Sequence, residues 1–259
     1  MAIGSFDGIH LGHMALINQV EAVVIIERNG GYLTPGYKRS SFVKQLCFFY
    51  HFEHIKSLRA QEFVSKLKED FPQLEKIVVG YDFGFGYKKE GNTELLKELF
   101  DGEVVIVKEV KSEDISVHSR TIKGEVAKGN IALVNQLLDR NYAINGKVVS
   151  GQGLGKKKLV ATLNLNVYDY DLPKDGVYMT RTKVGNKWLN SVSFIGFRKT
   201  TDGSFAIETH VIEKDIGLVK GKIWLEFVDF IRENKKFDGL EALKKQIDLD
   251  IIHAKNNLN

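Results

Sequence analysis

Two histidines three residues apart, His10 and His13, close a glycine-bracketed segment, GSFDGIHLGH at residues 4–13. Gly4 and Gly8 permit a tight turn after a strand end, carrying Phe6 and Asp7 between them. The apolar spacing of Leu11, Met14, Ala15 and Ile17 then starts a helix at once. A phosphate at that point would face free backbone N–H groups and the positive end of the helix dipole. Residues three apart share a helix face, so both imidazoles can reach one anion. There they can donate hydrogen bonds to oxygens on which charge develops during transfer. Asp7 can position the loop or a magnesium ion. A His-x-x-His pair can also serve zinc, but zinc needs further ligands and no Cys or His cluster of suitable spacing stands nearby. The plainest alternative is a helix start behind a glycine turn.

A second glycine stretch, GQGLGKKKLVATLN at 151–164, lies far along the chain. Gly151, Gly153 and Gly155 follow a strand at Lys147–Ser150, so backbone can approach a phosphate closely, and Lys156–Lys158 add positive charge. The pattern is not a G-x-x-x-x-G-K-[ST] loop, because a barrel strand and not a helix is expected next. A lysine-rich hairpin fits the composition equally well. One phosphate site suggests an enzyme; two in one chain suggest consecutive reactions.

GSFDGIHLGH resembles, position for position, the G-x-F-D-G-x-H-x-G-H signature of bacterial FAD synthetases, which are nucleotidyltransferases. VGYDFGFGYKKEG at 79–91 is similar to that family's second motif, and the resemblance implies that Asp82, Phe83 and Phe85 shape the flavin and nucleotide pocket. The family's Ser-Ser-Thr-x-Ile-Arg phosphate clamp falls on HSRTIK at 118–123, with Ser119 and Ile122 kept and Lys123 in the place of the arginine. Lysine is a point charge and does not reproduce the bidentate grip of a guanidinium. Arg120 stands close enough in sequence to compensate.

The second glycine stretch resembles the riboflavin kinase signature G-x-G-x-G-x-x-x-G-F-P-T-A-N, with identical spacing to Thr162 and Asn164, while Leu159, Val160, Ala161 and Leu163 depart from it. The resemblance implies that Thr162 and Asn164 bind Mg·ATP, which suits their hard oxygens. LPKDGVY at 172–178 and IETHVI at 207–212 continue it and imply Glu208 as the general base. IRENKKF at 231–237 implies Arg232 as a flavin or phosphate contact. By resemblance the chain is a bifunctional riboflavin kinase/FMN adenylyltransferase. Its catalytic residues would be Glu208, His10 and His13, acting on riboflavin, FMN and ATP with Mg2+ and releasing FAD and pyrophosphate. The rival readings are a form with only one active half and a flavin-nucleotide binding protein without turnover.

The elements that must hold these residues fall into two groups. Short runs rich in β-branched residues at Ala22–Ile26, Lys76–Gly80 and Glu103–Val107 alternate with helical patterns near Leu11–Val20, Ser40–Phe52, Ala60–Phe71 and Thr93–Phe100. The alternation predicts a Rossmann-like parallel sheet covered on both faces by helices. The aromatic cluster Phe48–Phe49–Tyr50–Phe52 reads as a packed helix face. Met1 leaves almost no strand ahead of Gly4. After Asn141, strands at Ile144–Val149, Gly176–Lys183, Trp188–Phe194, Phe205–Ile212 and Lys222–Ile231 follow without intervening helices and predict an antiparallel barrel. Helical spacing over Ile122–Leu138 precedes them and a closing helix fits Leu240–Ala254. Two domains are expected, 1–123 for nucleotidyl transfer and 124–259 for the kinase.

With 259 residues, 43% hydrophobic and 27% charged, the chain can bury a core or two. A net charge of +4 favours anionic substrates but is too mild for nucleic acid without a concentrated basic face. Cys47, the lone cysteine, excludes an internal disulfide. No apolar run approaches the ~20 residues that span a bilayer, and the motif at residue 4 leaves no room for a leader. These features predict a cytoplasmic monomer, at most weakly self-associating, without membrane or nucleic-acid partners.

Overall fold

The computed structural model describes residues 1–28, 30–150, 160–212 and 216–258. Gly151, Gly153, Gly155 and Lys156 lie outside the described residues. The chain divides into two compact units, Met1–Thr121 and Ile122–Asn259.

Five parallel strands build the first unit: β1 (Ala2–Gly4), β2 (Ala22–Glu27), β3 (Leu46–His51), β4 (Lys76–Gly80) and β5 (Glu103–Val107), in the order β3-β2-β1-β4-β5. Successive strand residues point to opposite faces, and here both faces are apolar. Ile3, Val24, Ile77 and Val79 meet α3 (Ala60–Asp70) and α4 (Thr93–Leu99) through Phe63, Val64, Leu67 and Leu96. Ala2, Val23, Ile25 and Val78 face Leu16 and Ile17 of α1 (Leu11–Ile17). That double burial is why these strands read as continuous apolar runs rather than alternating ones. The central strand β1 is only three residues long. It registers with β2 through its whole length but with β4 only at Ala2↔Val78.

The helix expected over Ser40–Phe52 is absent. The segment forms a 3-10 turn at Gly36–Phe42, the edge strand β3, and a single turn α2 (Phe52–Ile55). The aromatic and sulfur-bearing run LCFFYH has the residue types that fit a pleated surface. Cys47 and Phe49 pack on one side of the sheet and Tyr50 on the other. Edge pairing with β2 therefore outweighs the apparent helical spacing.

A short hairpin, β6 (Lys111–Ser112) and β7 (Ile115–Ser116), leads into α5 (Ser119–Lys128), within which the division of the two units falls. The helical pattern over 122–138 is two helices, because Gly129 at φ +77° breaks it before α6 (Ile131–Leu138).

The second unit is a closed antiparallel barrel of β8 (Tyr142–Val149), β9 (Leu163–Val167), β10 (Gly176–Val184), β11 (Lys187–Phe197), β12 (Phe205–Val211) and β13 (Lys222–Glu233), in the order β10-β11-β12-β9-β8-β13. Closure removes exposed edges. A fully buried hydroxyl ladder ties β10, β11 and β12 together. Thr180 bonds Ser191 and Ser193 at 2.8 Å each, and Thr182 bonds Ser191 at 2.8 Å and Thr209 at 3.1 Å. These groups satisfy one another, as buried hydroxyls must. The final helix α7 (Leu240–Asn257) sets Ala254 against Val177, Met179 and Val192, with Leu258 just beyond it in the same cluster. Parallel sheet with helices, then barrel with a closing helix, is the architecture expected from the sequence.

Candidate active sites

The loop after β1 is held in an unusual conformation. Gly8 takes φ +91°, and two non-glycine residues also have positive φ, Phe6 at +49° and Ile9 at +43°. A β-branched residue there is strained. Burial of both side chains, each at most 2% exposed in the core under β1, offsets that strain. Asp7 is buried, and its Oδ1 accepts a bond from the Thr34 N–H at 3.0 Å, while its backbone carbonyl accepts from the Ser119 hydroxyl at 2.8 Å. Two sequence-distant segments, at Thr34 and Ser119, thus fix the loop that carries the histidines.

His10 caps α1. Its Nδ1 accepts from the His13 N–H at 3.3 Å, and the His13 Nδ1 accepts from the His10 N–H at 3.4 Å. The rings stack with centroids 3.5 Å apart. Because both Nδ1 atoms accept, each ring, when neutral, carries its proton on Nε2 and offers it as a donor near the helix start. The His10 ring is packed closely: a Cβ at Gly12 would come within 3.1 Å of that ring and of the Val117 carbonyl. His13 also meets the Phe6 ring edge-on at 5.3 Å. The two histidines, Gly4, Phe6, Asp7, Gly8 and Ser119 therefore do come together.

The other expected residues of this unit divide. Asp82 and Phe83 follow β4, past the C-terminal end of that strand. Phe85, 4% exposed, packs with Phe63 and Phe83 inside the core, and a Cβ at Gly91 would fall 2.7 Å from its ring. Its ring is committed to packing. Lys123 is held at 3.1 Å by Asp171, a carboxylate of the second unit to which Lys123 itself belongs. Sequence reasoning passed over a polar trio: the His118 Nε2 lies 3.2 Å from Glu109 Oε1 and 3.4 Å from the Tyr81 hydroxyl. Hydrogen bonds from Ser116 and His118 hold the Glu109 carboxyl below the usual range. Nothing in the spacing of 81, 109 and 118 signals it; the three meet because the sheet order brings the ends of β4 and β5 side by side.

In the barrel, β12 and β9 pair antiparallel with Glu208 opposite Asn164. Arg198, just past β11, joins them. Its Nε and Nη2 donate to Glu208 Oε1 at 3.0 and 2.6 Å, and Nη2 donates to Asn164 Oδ1 at 2.9 Å. Both donations to Glu208 fall on one oxygen; among the described residues Oε2 receives none. Ser204 accepts from Arg198 Nη1 at 2.6 Å and fixes the arginine from its own hairpin. His210 donates through Nδ1 to the Ala161 carbonyl at 2.8 Å, which anchors the chain where it enters Thr162. Asn164 and Glu208 are thus cross-strand neighbours, and Thr162 lies just ahead of β9.

Arg232 is placed differently from the expectation. Its Nε donates to both oxygens of Asp250 on α7, at 2.9 and 3.1 Å, and Nη2 donates to Oδ2 at 2.7 Å. Asp250 is 3% exposed. The guanidinium therefore fastens the closing helix to β13, because a buried carboxylate needs a paired cation.

Both units of the chain are similar to known proteins. The family model described as riboflavin kinase matches residues 138–258, and that described as FAD synthetase matches 38–121. Curated relatives named bifunctional riboflavin kinase/FMN adenylyltransferase include one from Pseudomonas fluorescens, 27% identical over 98% of this chain and 91% of that protein. Another, from Listeria monocytogenes, is 28% identical over 96% and 89%. A crystal structure described as a macrolide-efflux protein from Streptococcus pneumoniae superposes with a TM-score of 0.85 at 26% identity, covering 98% of this chain and 93% of that one. Among the described residues no helix is long and apolar enough to cross a membrane.

Proposed function

Because the chain belongs to the bifunctional riboflavin kinase/FMN adenylyltransferase family, we propose that it makes FAD from riboflavin in two steps, one in each unit. The observation that carries this reading is the convergence of Arg198, Glu208 and Asn164 in the barrel, in a chain that also presents the stacked His10–His13 pair.

In the kinase step, Glu208 Oε2 takes the proton of the riboflavin 5′-hydroxyl as that oxygen attacks the γ-phosphorus of ATP; the bond to the ADP oxygen breaks, leaving FMN and ADP. Arg198 holds Oε1 so that the second oxygen keeps a fixed direction. Gly151, Gly153, Gly155 and Lys156 are proposed to cradle the ATP phosphates. Thr162, just ahead of β9, and Asn164 on it are hard oxygen donors, and this pair fits a magnesium ion, which takes few protein ligands beside substrate phosphates. When bound, magnesium would spread the charge of the transferring phosphoryl group.

In the second step an FMN phosphate oxygen attacks the α-phosphorus of another ATP, and the bond to pyrophosphate breaks. The Nε2–H groups of His10 and His13 donate to the oxygens that gain charge, while Gly4, Phe6, Asp7, Gly8 and Ser119 hold the loop in place. Asp82 and Phe83 border the flavin. The chain is proposed to work as a cytoplasmic monomer on free small molecules.

Glu208→Gln tests the division of labour. FMN formation should be lost while supplied FMN is still converted to FAD; equal loss of both would contradict two separate sites.

A further inference from the structure

Arg39 is fully buried in the 3-10 turn Gly36–Phe42, and among the described residues none of its guanidinium nitrogens has a hydrogen-bond partner. Its charge lies over the Tyr32 ring, 4.8 Å from the centroid, which offers no lone pair. A guanidinium has five N–H donors and stays charged at any pH the protein meets. Burying it without a hydrogen-bond partner is among the most expensive arrangements a fold can keep. Arg198 and Arg232, both partly buried, do not do so: Arg198 has Glu208 and Arg232 has Asp250.

The turn that carries Arg39 is stitched to the histidine loop at both ends. Ahead of it, the Thr34 N–H binds the Asp7 carboxylate at 3.0 Å. Behind it, Phe42 and Val43 pack on the cluster that contains Phe6 and Ile9. The segment leaves the C-terminal end of β2 and the histidine loop leaves that of β1, its neighbour in the sheet. In open α/β sheets, ligands bind beyond the C-terminal ends of the strands. Meanwhile the cation expected in the phosphate clamp, Lys123, is engaged by Asp171.

We propose that Arg39 is a phosphate-binding residue of the N-terminal site and supplies the guanidinium that the altered clamp lacks. The inference rests on reading the first unit as a nucleotidyltransferase. The acceptor is a phosphate group, from either the nucleotide triphosphate or the FMN monophosphate; both can take the planar bidentate fork. Because Arg39 is enclosed, a phosphate reaches it only by displacing part of the turn Gly36–Phe42.

The test uses the full chain with Arg39→Met and Arg39→Lys, measuring FAD formation from FMN with ATP and FMN varied in turn. Arg39→Met should raise one KM at least tenfold. A rise for ATP assigns the nucleotide, and a rise for FMN assigns the flavin phosphate. Arg39→Lys should recover part of the loss. Without ligand, Arg39→Met should melt no lower than the wild type, since it removes an unmatched charge. Both KM values unchanged would overturn the proposal, as would a Lys variant indistinguishable from Met. If Arg39→Met does not fold, Arg39→Lys decides alone, and wild-type KM values for both substrates would overturn the proposal. If the wild type makes no FAD, the functional reading of the first unit has failed. Calorimetry with magnesium pyrophosphate and with FMN then tests Arg39 by itself, and affinities for both that are equal in wild type and Arg39→Met would overturn the proposal.

Discussion

Arg198 places two N–H donors on a single carboxylate oxygen of Glu208, and the same guanidinium reaches Asn164 on the next strand. One side chain therefore sets the direction of the proposed base and of a proposed magnesium ligand. Arg198→Met should remove both constraints. Misplacing a catalytic group by about 1 Å costs roughly 100-fold, so riboflavin phosphorylation should fall by about that factor while FAD formation from FMN is unchanged. Arg198→Lys should rescue little, because an ammonium cannot span both partners. Initial rates for each step, measured separately, check this.

Gly12 lies against the histidine pair. A Cβ would come within 3.1 Å of the His10 ring and of the Val117 carbonyl. Gly12→Ala should turn the His10 ring away from His13 and lower FAD formation by about 10- to 100-fold, sparing FMN formation. Rates of the two half-reactions and the imidazole NMR resonances report the two effects.

Asp250→Asn should loosen the closing helix. The substitution leaves the Arg232 guanidinium with a neutral partner in a largely buried place. Losing a well-paired buried charge costs up to 3–5 kcal/mol, and partial exposure of Arg232 reduces that to about 2 kcal/mol. Denaturant melts should show the loss. Riboflavin affinity should stay within about twofold, since the pair sits against the helix; a large rise in riboflavin KM would return Arg232 to the ligand site.

Glu226, half-buried on β13 beside Asn141, has its carboxyl pushed above the usual range by burial. A carboxyl raised in the folded state binds its proton more tightly there than in the unfolded chain. Its contribution to stability therefore grows as pH falls through the folded value and declines as pH rises. Glu226→Gln should melt above the wild type at pH 8, and the difference should shrink towards pH 4. A constant difference across that range would contradict the burial argument.

Much of this was legible in the residues. The glycine turn, the helix behind it and the His-x-x-His spacing are local, and local patterns survive folding. Alternating strands and helices and then successive strands give the two architectures, because the burial of both sheet faces writes itself into apolar runs. The misreading of Ser40–Phe52 came from aromatics that suit either a helix face or an edge strand; the deciding factor, pairing with β2, is not local. For the same reason Arg198, 10 residues from Glu208 and 34 from Asn164, gave no signal of its own. Lys123 and Arg232 carried the right charge for a ligand, but their partners, Asp171 and Asp250, are set by tertiary packing.

The central claim is one chain with two consecutive activities. Purified protein incubated with riboflavin, ATP and magnesium, with riboflavin, FMN and FAD resolved over time, tests it most directly. The account predicts that FMN appears first and FAD follows as FMN accumulates. FMN without FAD would contradict the assignment of the first unit, and no product at all would contradict both.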